Sequence, residues 1–588
     1  MLDTLLARHL LIQFGRIAFA LFLLLLLAAL GAAILRWCRV VLEDRAERLL
    51  LQCAIGFAAY QCVVRWLSAM PIGIAAIVIL LAIVSIPGWR PLFEDLRGVT
   101  LPRDGWSIAI LLLLIAPLSM ALAPAVSRDA LVYHLRFPEM TLRLGTWAYD
   151  PASSTSFYPS AAGTLYLPAL AVDGNGVIAQ LVHFGFFVLC ILTIAAIARR
   201  LGAPTGRPAA LLFASLPVAA IVAGWAWADM AFVFALATSA LALLAGAPVL
   251  ALVLLGLATS IKYTALIAGI PLFLAALWMF VRARSFRQLL LGIVLGALVV
   301  SPWFVTNLVH TGNPLYPLGE KEQPTTTMAA TWSGDAQQSW FDVWSGYFLR
   351  PQTLDEDVGG VLFLVVAVIG FTIALPSRRL HIAAVLALLM WIVFLPLTAA
   401  MRLLLPAVVA TLVIAGAAFE QLERRRRFAT ALIAVFALRG GLVTAAHNAH
   451  FFNPLPAAVG IEDESSYVHR TVAASPLFER ADAKLPPNAR VLGINEVRLF
   501  RFPRPITASR NLDPPVIRRY VANAATPEVV VQRLRSDGIT HLLIGTRPVE
   551  RGGVGIPLTK QEEQLVSGVL RRSHVIDREG ELLLFELR

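Results

Sequence analysis

The sequence predicts an α-helical polytopic membrane protein with about 14 transmembrane helices and a small C-terminal α/β domain outside the membrane. Composition is the first observation that predicts this class. Of 588 residues, 58% are hydrophobic and 15% are charged, whereas soluble proteins carry roughly 25% charged residues. The second observation is that the apolar residues form runs such as "FALFLLLLLAALGAAIL". A run of about 20 apolar residues matches the thickness of the bilayer core.

The third observation is where the arginines lie. The apolar runs predict helices over 13–36, 50–68, 71–88, 106–124, 176–198, 207–224, 226–245, 247–260, 263–281, 288–308, 358–376, 380–398, 401–420 and 428–446. Arginine clusters occupy the short loops on one side of this alternation, within 36–48, 90–103, 199–207, 282–287, 378–379 and 424–427. This is the positive-inside pattern. It explains the formal net charge of +12 by topology, so no nucleic-acid partner is expected.

Three larger segments fall on the opposite, outer side of the membrane. Two are loops, 125–175 and 309–357, of a predicted transmembrane domain over 1–446. The third is 447–588, where "ARVLGIN" is typical of a strand and "PEVVVQRLRSDGITHLLIG" of a helix followed by a strand. There, "PLTKQEEQLVSGVLRR" predicts an amphipathic helix and "HVIDREGELLLFEL" a hairpin. We predict a small α/β domain over 447–588 without a catalytic group, periplasmic if the source is bacterial.

The first outer loop opens with "AVSRDALVYHLRFPEM", residues 125–140, directly after an apolar run. Asp129 is predicted to lie at the outer membrane surface, where a charge is costly unless it is used. The segment is expected to lie in the interface plane, with Leu131 facing lipid and His134 facing water. The alternative is that Asp129 only caps the helix that follows.

Four further positions place ionisable or polar groups at the same predicted depth. Asp229 begins the helix in "GWAWADMAFVFALATSALAL", and its alternative role is to interact with the helix dipole. Lys262 and Tyr263 follow the short helix 247–260, and Arg402 lies in "MRLLLPA"; the alternative for both cations is a side chain that snorkels to the interface. His310 lies in "SPWFVTNLVHTGNPLYPLG", where a turn alone explains the Gly-Asn-Pro sequence.

Two carboxylates and two cations at one membrane boundary suit group transfer from a lipid-phosphate donor. A carboxylate accepts the proton of an acceptor hydroxyl. Cations stabilise the phosphate that leaves. The prenyl chain of such a donor stays in the bilayer, which explains why most of the chain is membrane-embedded.

At these residues the sequence resembles the GT-C superfamily of polyprenyl-phosphate-sugar glycosyltransferases, including the protein mannosyltransferases and the aminoarabinose transferases. The resemblance rests on "SRDALVYHLRFPEMTLRLG", "FYPSAAGTLYLPAL", "WAWADMAFVFALA", "LGLATSIKYTAL", "SPWFVTNLVHTGNPLYP" and "MRLLLPA", in this order over roughly residues 106–420. In that family the acidic loop follows the first helix, whereas here several predicted helices precede it, the last of them 106–124.

The resemblance implies roles for six residues. Asp129 would be the general base, and Asp229 the second acidic residue. Lys262 and Arg402 would bind the lipid phosphate. Contacts to donor or acceptor would come from His134 and Tyr158. Tyr263 and His310, at the same predicted depth, are also expected to bind substrate. Whether a divalent metal ion is needed stays open.

The function predicted from the sequence is therefore an inverting glycosyltransferase of the bacterial inner membrane, with its active site on the periplasmic face. Its partners would be a polyprenyl-phosphate-linked sugar donor, a glycan, lipid or protein acceptor, and membrane lipids. Three alternatives stay open: an O-antigen polymerase or ligase, a lipid or polysaccharide transporter, and an inactive relative that serves as a scaffold.

Overall fold

A computed structural model describes residues 2–70, 72–99, 103–319, 348, 357–394, 401–422, 426–509, 513–546 and 558–588. In this part of the chain, 7 helices are long and apolar enough to cross a membrane, or up to 8 if a pair bent by 65° is one span. The protein is a multi-pass membrane protein built mainly of helices. Most of the predicted loop 309–357, with its aromatic and acidic stretches, lies outside the described residues.

Each of the predicted apolar segments contains helix in the structure. Up to residue 200 the helices are Leu2–Trp37, Arg45–Leu67, Ile74–Val84, Ile86–Arg97, Gly105–Leu113, Ile115–Ala121, Arg136–Leu144, Ala161–Val172 and Val177–Arg200. They continue with Arg207–Ala214, Pro217–Ala223, Asp229–Leu244, Pro248–Ile261, Ala265–Ala268, Ile270–Arg282, Phe286–Thr311, Val361–Ala374, Arg378–Phe394, Leu405–Glu420 and Arg426–His447. Several predicted spans are shorter than a full crossing or are broken, so the number 14 stays a prediction.

Proline explains one of the breaks. The predicted helix 207–224 is two helices in the structure, and the second begins at Pro217. A proline ring cannot donate the backbone hydrogen bond that would continue the helix through this position. The chain then turns through buried residues 224–228 before Asp229 begins the next helix. Asp229 therefore lies at the start of a helix inside the protein.

Three of the arginine-rich loops lie together at one end of the helix bundle. Arg200 contacts Glu47 at 2.6 Å, and Arg48 contacts Asp95 at 2.6 Å. The loops around residues 44–48, 95–104 and 199–207 thus meet, as the charge pattern predicts. The helix Val177–Arg200 has 24 residues, which corresponds to about 36 Å, so its first residues lie at the opposite end.

The C-terminal region contains a five-stranded sheet at that opposite end. Its strands are β1 (Val491–Ile494), β2 (Ile506–Ala508), β3 (His541–Gly545), β4 (His574–Glu579) and β5 (Leu582–Glu586), in the order β2-β1-β3-β5-β4. Its helices are Leu455–Ala458, Glu464–Thr471, Ser475–Lys484, Arg518–Val521, Pro527–Ser536 and Lys560–Arg572. Strand β1 is parallel to β2 and β3, whereas β5 is antiparallel to β3 and β4.

The two faces of the sheet pack differently. Leu542 and Ile544 belong to a core with the helices Pro527–Ser536 and Lys560–Arg572. Leu543, between them, belongs to the large core that continues into the membrane helices. Because successive strand residues point to opposite faces, one face of the sheet is covered by its own helices and the other by the rest of the protein.

The outer loop 125–175 lies between the sheet and the membrane helices, and this corrects one expectation. Leu131 and His134 are both buried, at 2% and 6% exposure, so this segment does not lie in the interface plane with one face in lipid. The backbone of Leu131 accepts a hydrogen bond from Phe500 at 3.1 Å, and Arg136 contacts Asp150 at 2.8 Å. The C-terminal region covers the segment from the outside.

Candidate active site

Asp129 is held by a turn of the outer loop rather than by a regular helix. It directly precedes a π-helical turn, Ala130–His134, a feature that occurs frequently at functional sites. Its carboxylate accepts a hydrogen bond from Arg402 at 2.8 Å and from the Tyr133 hydroxyl at 3.0 Å. Arg402 comes from the turn Met401–Leu404, far along the chain. The fold thus joins the first and the last of the predicted site segments.

The Asp129 carboxylate does not cap the turn that follows it, so the capping alternative is wrong. Burial alone would raise the pKa of Asp129, because it disfavours the charged form. The guanidinium of Arg402, together with Arg128, outweighs burial and holds this pKa well below its ordinary value. Asp129 is therefore an ionised carboxylate at neutral pH.

A second ion pair joins Asp229 to Lys262. The Lys262 ammonium lies 2.6 Å from Oδ1 of Asp229, and the carboxylate is only 2% exposed. The other oxygen, Oδ2, is buried and has no hydrogen-bond partner in the structure. Lys262 follows the last residue of the helix Pro248–Ile261. Lys262 therefore does more than snorkel to the interface, because it pairs with a carboxylate. Asp229 is stabilised by this ion pair in addition to the helix dipole.

The two ion pairs belong to one site. Asp229 lies within electrostatic range of Arg402 as well as of Lys262. His134 interacts electrostatically with both carboxylates and with Lys262. Its Nε2 atom is buried and has no hydrogen-bond partner in the structure. The site therefore contains two carboxylates and two cations, with the neutral imidazole of His134 within electrostatic range of both carboxylates and of Lys262.

The rings of Tyr158 and of Tyr263, the residue after Lys262, pack against each other. Their ring centroids are 6.1 Å apart in an edge-to-face arrangement. The Tyr263 hydroxyl accepts a hydrogen bond from Asn307 at 2.9 Å and donates one to the Tyr316 carbonyl at 2.9 Å. These bonds fix Tyr263 next to the site.

His310 lies in a neighbouring cluster and makes no described contact with either ion pair. Its ring centroid is 4.4 Å from that of Tyr149. The Tyr149 hydroxyl accepts a hydrogen bond from Arg65, whose guanidinium lies 4.6 Å from the Trp147 ring. The structure thus brings together seven of the eight predicted residues and leaves His310 at the edge.

The sequence prediction missed several residues that complete the site. Trp227 lies under Arg402, with its ring 4.8 Å from the guanidinium carbon, and donates a hydrogen bond to Ser127 at 3.1 Å. His183 accepts a hydrogen bond from the Met230 backbone at 3.0 Å, at the start of the Asp229 helix. Arg65 and His183 both carry the signal that could have identified them, because ionisable residues within apolar helices are rare.

The donor set does not fit a divalent metal ion. Each carboxylate is occupied by a cation, and the described part of the chain has no group of three or more His, Cys, Asp or Glu residues that could hold a metal. Divalent cations in oxygen sites need several oxygen ligands.

Two solved structures of ArnT from Cupriavidus metallidurans have a similar fold. The structure bound to undecaprenyl phosphate matches with a TM-score of 0.52 at 15% identity, covering 85% of this chain and 98% of that chain. The apo structure matches with a TM-score of 0.52 at 15% identity over 82% and 98% of the two chains. The fold of this chain is therefore similar to that of ArnT. Arabinofuranosyltransferase AftD from Mycobacteria matches at 14% identity with a TM-score of 0.41, covering 83% of this chain and 40% of that chain.

Comparison with sequence families gives one match. Residues 228–333 match a domain of unknown function, DUF8201. The matched segment begins one residue before Asp229 and includes Lys262 and Tyr263. No curated protein matches the sequence significantly.

Proposed function

We propose that this protein is a membrane glycosyltransferase that moves a sugar from a polyprenyl-phosphate donor to an acceptor hydroxyl. One observation carries the proposal: two buried carboxylate–cation pairs share one site in a GT-C fold. Transfer from a phosphate ester needs a base for the acceptor and positive charge for the leaving group. The same four side chains can supply both.

In the proposed reaction Asp129 is the general base. The acceptor oxygen attacks the anomeric carbon of the sugar while its proton passes to the Asp129 carboxylate. The bond between that carbon and the phosphate oxygen breaks, and the phosphate keeps the electron pair. Arg402 and Lys262 stabilise the resulting charge. Attack from the side opposite the phosphate inverts the configuration at the anomeric carbon.

Asp229 positions Lys262 before the donor binds and presents its free oxygen to the sugar or the acceptor. His134, Tyr158 and Tyr263 would complete the walls of the sugar site. His310, at the exposed edge of the neighbouring cluster, would contact the outer part of the acceptor. The solved structure of ArnT with undecaprenyl phosphate supports the donor class.

The proposed location is the bacterial inner membrane, with the site and the region 447–588 in the periplasm. The clustered arginine loops at the opposite end of the bundle support this orientation under the positive-inside rule. In this arrangement 1–446 forms the transmembrane domain with about 14 helices. The segment 447–588 is a non-catalytic α/β domain that covers the catalytic loop. A glycan, lipid or protein acceptor would approach from the periplasm.

The decisive test uses the full chain in lipid nanodiscs with a panel of undecaprenyl-phosphate sugars and cell-envelope extracts as the acceptor source. Release of undecaprenyl phosphate and transfer of labelled sugar are measured together. Asp129→Asn should fold, bind donor and transfer sugar about 100- to 10,000-fold more slowly, the usual contribution of a general base. Lys262→Met should weaken donor binding as well as slow transfer.

The matched control is Glu563→Gln, which makes the same acid-to-amide change at an exposed position of the helix Lys560–Arg572. It should transfer sugar at the rate of the unmodified protein. Near-normal transfer by Asp129→Asn would remove the proposed mechanism. No transfer from any donor by the unmodified protein would favour a scaffold.

A further inference from the structure

The two cations of the site are already bound to carboxylates before any donor arrives. Arg402 contacts Asp129 at 2.8 Å, and Lys262 contacts Asp229 at 2.6 Å. The proposed glycosyltransferase reaction requires these groups to interact with the substrates instead of with each other. The cations have to bind the donor phosphate, and Asp129 has to accept a proton.

A carboxylate held in this way is a poor base. General-base catalysis is most efficient when the pKa of the base lies near the working pH. Arg402 holds the pKa of Asp129 well below its ordinary value despite the burial of the carboxylate. The Tyr133 hydroxyl bonds the same oxygen, Oδ2, that Arg402 occupies. The resting site therefore suppresses the group that the reaction needs.

We propose that the donor phosphate activates the site by exchange: it takes Arg402 and Lys262 from Asp129 and Asp229, and thereby frees Asp129 to act as base. This inference rests on the glycosyltransferase function proposed above. The donor phosphate is esterified by both lipid and sugar, so it carries one negative charge and two unesterified oxygens, which can bind the guanidinium of Arg402 and the ammonium of Lys262. Donor binding would therefore precede productive acceptor binding.

The exchange gives both cations a new partner and leaves Asp129 one hydrogen bond. The phosphate contacts Arg402 and Lys262, and the Tyr133 hydroxyl keeps its hydrogen bond to Asp129. The phosphate anion then lies beside the released carboxylate, and like charges raise the pKa of a carboxyl group. His134, which also interacts with Asp129 and Asp229, is positioned to receive a hydrogen bond at its free Nε2 atom. Loss of the ion pair and the new negative charge both make Asp129 more basic.

The exchange predicts that the two carboxylates compete with the phosphate. Asp129→Asn and Asp229→Asn each remove the negative charge of one competitor for its cation. Each variant should bind geranyl phosphate about 10- to 100-fold more tightly than the unmodified protein, the range of a hydrogen bond to a charged group. Binding is measured by calorimetry on the full chain in nanodiscs, with geraniol as the uncharged comparison.

Asp150→Asn is the matched control. Asp150 forms another buried pair with an arginine of the same loop, Arg136, at 2.8 Å, outside the proposed phosphate site. This variant loses stability as the others do, yet its affinity for geranyl phosphate should not change. In the Asp129 and Asp229 variants, geranyl phosphate should also raise the Tm more than it does in the unmodified protein, because it restores the lost compensation.

The outcomes separate this inference from the function on which it rests. Equal or weaker affinity in both Asp129→Asn and Asp229→Asn, with normal affinity in the unmodified protein, would overturn the exchange and leave the donor class intact. If only one of the two variants folds, its affinity alone decides. If geranyl phosphate binds no better than geraniol to any of the proteins, the donor class itself is wrong.

Discussion

At the scale of single residues, His134 provides a measurable sign of how strongly the site is shielded from water. Burial lowers the pKa of His134 to about 3, compared with about 6.5 for an exposed histidine. Between these values the unfolded chain binds a proton that the folded protein does not. Stability from this residue is therefore complete above about pH 6.5 and decreases as the pH falls.

We expect the Tm of the unmodified protein to fall more steeply on acidification than that of His134→Gln, which cannot take up a proton. At about pH 5 the difference corresponds to about 2 kcal/mol of unfolding free energy. Thermal unfolding in nanodiscs from about pH 7.5 to about pH 5 measures it. His450→Gln, at an exposed position, should keep the slope of the unmodified protein. Parallel curves for His134→Gln and the unmodified protein would mean that His134 is hydrated.

The four charged residues of the candidate site share one property. Asp129, Asp229, Lys262 and Arg402 are ionisable groups next to apolar runs, and this contrast is visible without a structure. Their pairing was not predictable, because Arg402 reaches Asp129 across 273 positions of the chain. Trp227 was missed for a different reason. An aromatic residue in an apolar segment gives no signal of its own until Arg402 is seen above its ring.

At the scale of elements, the first helices are packed through glycines. A methyl group on Gly56 would collide with the backbone carbonyl of Leu27, and one on Gly31 with that of Gln52. The helices Leu2–Trp37 and Arg45–Leu67 therefore touch backbone to backbone, as small residues allow in membranes. Gly56→Ala should lower the unfolding free energy by about 1–3 kcal/mol or more, the cost of overpacking.

Gly15→Ala is the control, because it makes the same glycine-to-alanine change at a position where the added methyl group has space. It lies in the helix Leu2–Trp37, and nothing lies within 4 Å of an added methyl group. Because alanine favours a helix by about 1 kcal/mol over glycine, this variant should be neutral or more stable in thermal unfolding of the purified protein. If Gly56→Ala had the same Tm as the unmodified protein, the helices Leu2–Trp37 and Arg45–Leu67 would be able to move apart without loss of stability.

The sequence predicted the helices and strands better than it predicted the contacts between them. Thr559 and Glu562 form the capping box of the helix Lys560–Arg572, and the hairpin turns at Gly580 as "REG" predicts. The strand β2, Ile506–Ala508, was missed because its three residues are too few to show alternation. The burial of the loop under the sheet was not predictable, because it depends on residues far apart in the chain.

At the scale of the whole molecule, the orientation in the membrane is the prediction on which the site depends. Cys38 follows the first helix at the arginine-rich end and is exposed. Glu563 lies in the C-terminal region and is also exposed. The positive-inside rule places the first in the cytoplasm and the second in the periplasm. A cysteine at each position therefore reports a different side of the membrane.

A membrane-impermeant maleimide applied to spheroplasts should label a Cys38→Ser, Glu563→Cys protein and leave the unmodified protein nearly unlabelled, because Cys53 and Cys190 are buried and Cys62 is half-buried. Permeabilising the membrane should expose Cys38 and increase labelling of the unmodified protein only. The Cys38→Ser protein provides the background in both states. Equal labelling at the two positions before permeabilisation would place both ends on one side. A polyprenyl-phosphate donor presented from the periplasm could then not reach Asp129 as proposed.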